Sequence, residues 1–424
     1  MRRRLLVFGA AILLALVGLA YLLLVWPLRS PHPQATLAQG TLAITGATLF
    51  PSPEAPPMEG ATLLVRDGRV SALGPEVPIP AGTRLLRCLG CFVTAGFWNA
   101  HVHLTEPKWN NSEWASAERL NAQLADMFGS RGFTTVVDVG SDLRSTLPLR
   151  RRIESGELLG PAIYTSGPPL YPPNGIPFYL RESLPLPVLW LLPQPSTAEE
   201  AARAVERNIS QGADLLKLFT GSWVTKGQVL PMPIAVASAA ARAAHAHHQL
   251  VFSHPSNLAG TLVALASGVD VLAHAPDATE GITEEVLQQL VQHHLAMVPT
   301  LKMFATTVTT NPSYLGPIDS LVRTFHALGG QLLFGTDVGY MRDYSTEGEF
   351  SALARCGLGA MDVWRMLTTA PAQRFGVTSL KGTLAVGQLG DVVVLEADPR
   401  QDVRNFARVR ATVRSGNVVY LKPE

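Results

Sequence analysis

A chain of 424 residues that is 47% hydrophobic and only 16% charged can bury one large core and a smaller one. Its formal net charge of +1, with no basic runs interleaved with aromatics, excludes a nucleic-acid footprint. Three cysteines are too few for a disulfide framework.

Met1-Arg2-Arg3-Arg4 precedes an uncharged apolar stretch over residues 5–28. As a helix it spans about 36 Å, enough for a bilayer core of about 30 Å and more than the h-region of a secretory signal needs. The arginines favour a cytoplasmic N-terminus. Residues 1–28 therefore read as a single-pass transmembrane signal anchor that leaves the body periplasmic or otherwise extracytoplasmic, with a cleaved signal as the lesser alternative. Residues 29–40 follow as a Pro-containing linker.

From residue 41 to residue 93 the pattern is short strands and turns, and Asp67-Gly68 between two apolar runs signals a hairpin. Cys88 and Cys91 are spaced C-x-x-C but lead into a strand and have no second pair. They read as two small buried apolar side chains, with a local disulfide as the lesser alternative.

Near residue 94 the grammar changes to alternating strands and helices. Apolar, β-rich runs end at His101, then cover 134–139, 162–166 and 215–220. Later runs end at His254 and His274, cover 296–301, and end at Asp337. Helical patterns such as 199–211, 234–247 and 284–293 fill the gaps. This alternation predicts an α/β fold, a (β/α)8 TIM barrel over residues 94–377. Pro299 sits awkwardly in its run, since proline suits strand edges or bulges. After residue 377 strands return at 382–385, 391–395, 409–413 and 418–421. Residues 41–93 and 378–424 are expected to assemble into one composite β-sandwich domain.

Candidate chemistry begins with His101-Val102-His103. On a strand, residues i and i+2 share a face, so both imidazoles can converge on one divalent cation. Most of the eleven histidines read as solvated helix faces and ends: His245, His247, His248, His293, His294 and His326, with His32 in the linker. His254, His274 and Asp337 differ, because each ends a β-rich run, as His101 does. Lys217 is a charge inside the apolar run Leu215-Leu216-Lys217-Leu218-Phe219, and buried lysines are rare without a partner. Barrel enzymes carry their chemistry at that end of the strands. No Gly-x-Ser-x-Gly elbow or His-Glu-x-x-His motif occurs.

On these residues the chain resembles the amidohydrolase superfamily, and is most similar to its imidazolonepropionase/prolidase-like branch. The matching features are Gly96-Phe97-Trp98-Asn99-Ala100-His101-Val102-His103, Lys217, His254, Gly268-Val269-Asp270-Val271-Leu272-Ala273-His274, Gly335-Thr336-Asp337 and the closing Gly387-Gln388-Leu389-Gly390-Asp391 segment. Two departures are Thr94-Ala95-Gly96, where the family usually has proline before the glycine, and Asn99, where many members have Asp. The resemblance implies two divalent metals, zinc by expectation. His101, His103 and Asp337 would hold the more buried ion, His254 and His274 the more exposed one. Lys217 would bridge both as a carbamate formed from CO₂, and burial that lowers the lysine's pKa agrees with that chemistry. Asp337 would be the catalytic group, taking a proton from a water activated between the metals and delivering one to the leaving nitrogen.

The implied reaction is hydrolysis of a C–N bond in an amide, a cyclic amide or a small peptide. Ester, lactone or phosphoester hydrolysis, or a silent binding module, are the alternatives. Deamination is disfavoured, because Pro255-Ser256-Asn257 offers no carboxylate beside His254. The apolar, Pro-rich segment 168–195 is expected to form a lid or substrate wall, with membrane contact as a lesser reading. Tyr171, Tyr340 and Arg342 are candidate substrate contacts. A small-molecule or short-peptide substrate, the membrane through residues 5–28, no nucleic acid and room for a homo-oligomer complete the expected partners.

Overall fold

Strands from the two ends of the chain meet in one sheet in the computed structural model, which describes residues 37–308 and 310–423. Thr41–Leu49 pairs with Met58–Arg66, which pairs with Arg69–Gly74 across the two-residue turn Asp67-Gly68. Both turn residues take positive φ, 48° and 76°, as a hairpin whose twist matches its strands requires. From the other end, Val392–Leu395 lies antiparallel to Phe92–Ala95, and Val409–Arg414 and Asn417–Leu421 continue the sheet. Period-two alternation gives this sheet two duties. Val392 and Val394 join its own core with Ile44, Leu63 and Val413, while Val393 and Leu395 face the larger core.

Three expectations for this region change. With Arg84–Arg87, which runs parallel beside Thr41–Leu49, these eight strands form one hydrogen-bonded sheet rather than the two facing sheets of a sandwich, because Phe92–Ala95 bridges the N-terminal and C-terminal strands directly. Residues 382–385 form no strand, since Gly382 at φ 106° turns the chain there. Cys88 and Cys91 are buried as expected but bonded to each other.

Parallel strands make up the rest. Phe97–Val102, Phe133–Asp138 and Ala162–Thr165 form one sheet. Leu216–Phe219, Val251–His254, Val271–Leu272 and Ala296–Met297 form another. Helices connect them, as parallel pairing demands. Ala198–Gln211 shows the local logic: Thr197 caps its N-terminus, Glu199 and Glu200 occupy the first turn, and Gly212 ends it in the left-handed region. The two sheets touch through a single bridge, Leu170 to Leu218, and through residues 332–338, which bridge Met297 on one side and Val102 on the other.

The eighth run is thus not a regular strand. The Thr336 and Asp337 amides both turn to the His101 carbonyl, and Asp337 sits at φ 59°, which breaks the extended repeat. The seventh is shorter than expected and stops at Met297, ahead of Pro299. The ladders therefore form two parallel sheets joined by bridges and not one continuous eight-stranded barrel. No helix among the described residues is long and apolar enough to cross a membrane, and the expected anchor at 1–28 lies outside them, with His32 and most of the linker.

Candidate metal centre

The first parallel strand carries Trp98 and Ala100 into the interior between the strands. A register shift between Asn99 and Val102 then re-aims the strand's end, where His101 and His103 lie with ring centroids 5.3 Å apart. Asn99 fixes this bend: its Oδ1 accepts from the amides of His101 and Thr336, and its Nδ2 donates to Thr336 Oγ1 at 2.7 Å. An asparagine here supplies both a donor and an acceptor, so the departure from the family's usual Asp keeps a structural role. Gly335 must lack a side chain, because a Cβ would stand 2.2 Å from Val298 and 2.8 Å from the His101 Cβ.

Asp337 gathers the histidines. Its Oδ1 lies 3.1 Å from His103 Nε2 and 3.3 Å from His101 Nε2, and its Oδ2 lies 3.9 Å from His274 Nε2. His101 and His274 stand 4.3 Å apart by ring centroid, and His274 and His254 stand 4.6 Å apart. Lys217 points the same way as Leu215 and Phe219, one residue either side along its strand face, and is only 2% exposed. The residues singled out at strand ends therefore share one end of the two sheets, and Lys217, inside its strand, faces the same centre within electrostatic reach of Asp337.

The neighbouring shell orients them. His101 Nδ1 donates to the Ala273 carbonyl, His103 Nδ1 to the Gly140 carbonyl at 3.1 Å, and His274 Nδ1 to Thr300 Oγ1 at 2.7 Å. Each Nδ1 is thus protonated, which turns the Nε2 lone pair inward as a metal ligand requires. Thr300 reaches His274 by adopting φ 50°, unusual for a β-branched residue, and donates its own proton to the Pro299 carbonyl. Glu349, 1% exposed, holds the turn by accepting from the amides of Leu301 and Lys302. Thr300→Val should weaken zinc binding about 10–100-fold in a chelator competition, with the fold intact. Unchanged affinity would show that His274 needs no such partner.

Charge is tuned by burial and by neighbours. Burial pushes His101 down to about 4, while the Asp337 carboxylate opposes it. Burial likewise holds His254 and His274 well below the ordinary histidine value, with Lys217 adding to it at His254. Burial also disfavours charge on His103, but the Asp337 and Asp138 carboxylates outweigh it and the net shift is upward. Asp337 is raised by burial, yet the flanking His101 and His103 hold it well below the usual carboxylate range. Lys217 falls from 10.5 to about 7 because it is buried, against the pull of Asp337.

His101, His103 and Asp337 offer one ligand atom each, all within 4.8 Å of one another, the spacing a metal needs. His101 Nε2 and Asp337 Oδ1 are buried yet make no hydrogen bond among the described residues. Two orphaned buried lone-pair donors 3.3 Å apart, with no proton between them, fit a cation that both can bind. This donor set of imidazoles and carboxylate suits zinc and its first-row neighbours.

The other candidates separate. Tyr171 is buried against Phe219, and Tyr340, half-exposed, faces Tyr179. Arg342 is exposed and bears on Tyr344 instead. Among the histidines read as surface groups, His245 pairs with Asp270 and His247 with Glu206. Sequence reasoning missed Thr300, Glu349 and Tyr179. Only Thr300 had a signal, the proline before it.

Residues 92–419 match the family model described as the amidohydrolase family. The ochratoxinase of Aspergillus niger is 23% identical over 428 residues, covering 90% of this chain and 87% of its own. A Bifidobacterium longum structure assigned provisionally as a prolidase superposes with a TM-score of 0.76 at 26% identity, covering 91% of this chain and 96% of its own. A Xaa-Pro dipeptidase solved with methionine in its active site gives 0.76 at 20% identity, over 90% of this chain and all of its own.

Proposed function

We propose a function from one premise: this chain belongs to the amidohydrolase family. It is a hydrolase acting on carbon–nitrogen bonds. The finer reading is a binuclear metal-dependent amidase on a (β/α)8-type scaffold, cleaving amides, cyclic amides or small peptides. In it His101, His103 and Asp337 hold one divalent ion, His254 and His274 a second, and Lys217, as a carbamate, lies between them. The observation that carries it is the convergence of the orphaned His101 Nε2 and Asp337 Oδ1 beside two further neutral histidines and a buried lysine.

Two bound divalent ions, zinc by the donor set, would supply Lewis acidity toward the carbonyl and acidify water. The protein's part is positional. Asp337 stays ionised because His101 and His103 flank it, so its carboxylate can take the proton of the attacking water. As the C–N bond breaks, the same group returns that proton to the departing nitrogen. The three Nδ1 anchors keep the imidazoles from turning during the cycle.

Membrane tethering through residues 5–28, with the catalytic body extracytoplasmic, belongs to the same proposal. It is supported by the apolar stretch behind three arginines and by the Cys88–Cys91 bond, which persists in oxidising compartments. The test is metal analysis of the full-length chain with a screen of dipeptides, N-acyl amino acids, cyclic ureides and lactones. About two equivalents of zinc and amide hydrolysis that a chelator removes are expected, from protein that remains in the membrane fraction after carbonate washing. Full activity in metal-free protein would overturn the metal reading, and release by carbonate the tether.

A further inference from the structure

We propose that the mouth of this centre receives an uncharged aromatic group of the substrate, gripped by Tyr179 between Tyr171 and Tyr340; this rests on the amidase reading above. Two of the three tyrosines, Tyr171 and Tyr179, come from the Pro-rich loop 168–195, and Tyr340 comes from the turn after Asp337. Tyr171 follows Leu170, which bridges to Leu218 beside Lys217. Tyr179 lies on the short helix Phe178–Ser183 of the Pro-rich loop, and Tyr340 lies three residues past Asp337.

Rings extend outward from the ligands in two rows. In one, Phe219 stacks on His254 at 4.7 Å and Tyr171 packs on Phe219 at 4.6 Å. In the other, Tyr179 meets Tyr340 at 5.9 Å and Phe178 at 5.6 Å. Tyr179 links the rows, because Tyr171, Tyr340, Asp337 and Asp277 all bear electrostatically on its hydroxyl.

Two features point to a ligand. Tyr179 is part-buried and Tyr340 half-exposed, and neither hydroxyl hydrogen-bonds to a described residue, so both side chains are open to a guest. The rings are spaced as aromatic partners prefer and can take another ring edge-on or offset. The sign of the site argues for a neutral guest. Asp277 lies near Tyr179 and already accepts from Trp223 Nε1 and Tyr314, so an anionic group there would meet a carboxylate. Arg342, the cation that could have welcomed one, lies exposed near Tyr344.

Calorimetric binding of benzamide against acetamide, with any hydrolysis measured in parallel, tests this by affinity. Paired hydrolysis of N-benzoylglycine against N-acetylglycine, and of N-acetylphenylalanine against N-acetylalanine, reads it in kcat/KM. The full-length protein loaded with zinc should favour benzamide, and the aromatic member of at least one pair, by about tenfold or more, the size of one or two ring contacts. Tyr179→Leu should erase the preference while zinc content stays at the wild-type level, and Tyr179→Phe should keep most of it. If Tyr179→Leu fails to fold, Tyr340→Leu, at a half-exposed position, gives the same readout. Equal binding of benzamide and acetamide by zinc-loaded protein, with hydrolysis pairs within about twofold, would overturn the proposal. Failure to bind zinc would overturn the amidase reading instead.

Discussion

Lys217→Ala is expected to give a folded protein that no longer holds its metals and whose turnover falls by about three powers of ten, equivalent to ~4 kcal/mol in the barrier. The argument starts from cost. An amine at 2% exposure whose pKa drops from 10.5 to about 7 resists its charge by ~5 kcal/mol. Because the folded value lies below the unfolded one, the apo fold loses stability as pH falls from about 10.5 towards 7, and below 7 it bears the whole penalty. Alanine removes that penalty and leaves a cavity costing about 2–5 kcal/mol, so the melting temperature should change little from that of metal-free wild type. A residue present only for stability would show the opposite pattern, lowered melting and kept activity. The same depression predicts how metal returns. Carbamate formation joins the lysine nitrogen to the carbon of CO₂ and releases a proton, so it needs the neutral amine. About a tenth of that amine is free at pH 6 and about nine-tenths at pH 8. Reloading stripped protein with zinc under a fixed partial pressure of CO₂ should run about tenfold faster at pH 8. A variant that keeps two metals and its turnover would remove Lys217 from the centre.

What could be read beforehand was whatever periodicity carries. His101, His254 and Asp337 were visible because a β-rich run announces its own end, and Lys217 because a charge between leucines contradicts its surroundings. Pairing between chain ends was also foreseeable in kind, since two short β segments cannot bury themselves alone. What escaped was decided by tertiary contact. No local pattern distinguishes one sheet from two facing ones; that depends on Phe92–Ala95 pairing on both sides. Cys88 and Cys91 looked like buried apolar groups, and they are buried, but their bond follows from a turn bringing their Cα atoms to 5.4 Å.

Near the centre the failures coincide with strain. Residues 332–337 have the composition of a strand, yet Asp337 turns left-handed to meet three imidazoles. Thr300 does the same to meet His274. At both positions the local β preference loses to the demands of the centre, as expected where function overrides propensity. Tyr179 escaped for a different reason. Phe178-Tyr179-Leu180 reads as one more apolar stretch of a long loop, and only the fold places its ring beside Tyr340.

Asp337→Asn should separate holding the centre from performing its proton transfer. The amide is nearly isosteric and keeps one carbonyl oxygen, so His101, His103 and His274 retain a neighbour of the right shape. It cannot accept a proton at any working pH. Asp337 in the native protein can, because its carboxylate stays ionised between two imidazoles. General-base assistance of this kind contributes about 10²–10⁴-fold. At saturating zinc, kcat should therefore fall by about 10³-fold, with KM changed far less, since the aspartate moves protons in the transition state and does not hold the substrate in the ground state. The fall should persist across the pH range, because raising pH cannot restore a base that is absent. Weaker zinc binding accompanies the change, so the comparison is made at metal concentrations where occupancy is measured directly. Turnover within about tenfold of wild type at full occupancy would assign the proton transfer to another group, and Asp138, buried and itself near His103, would be the next residue to replace.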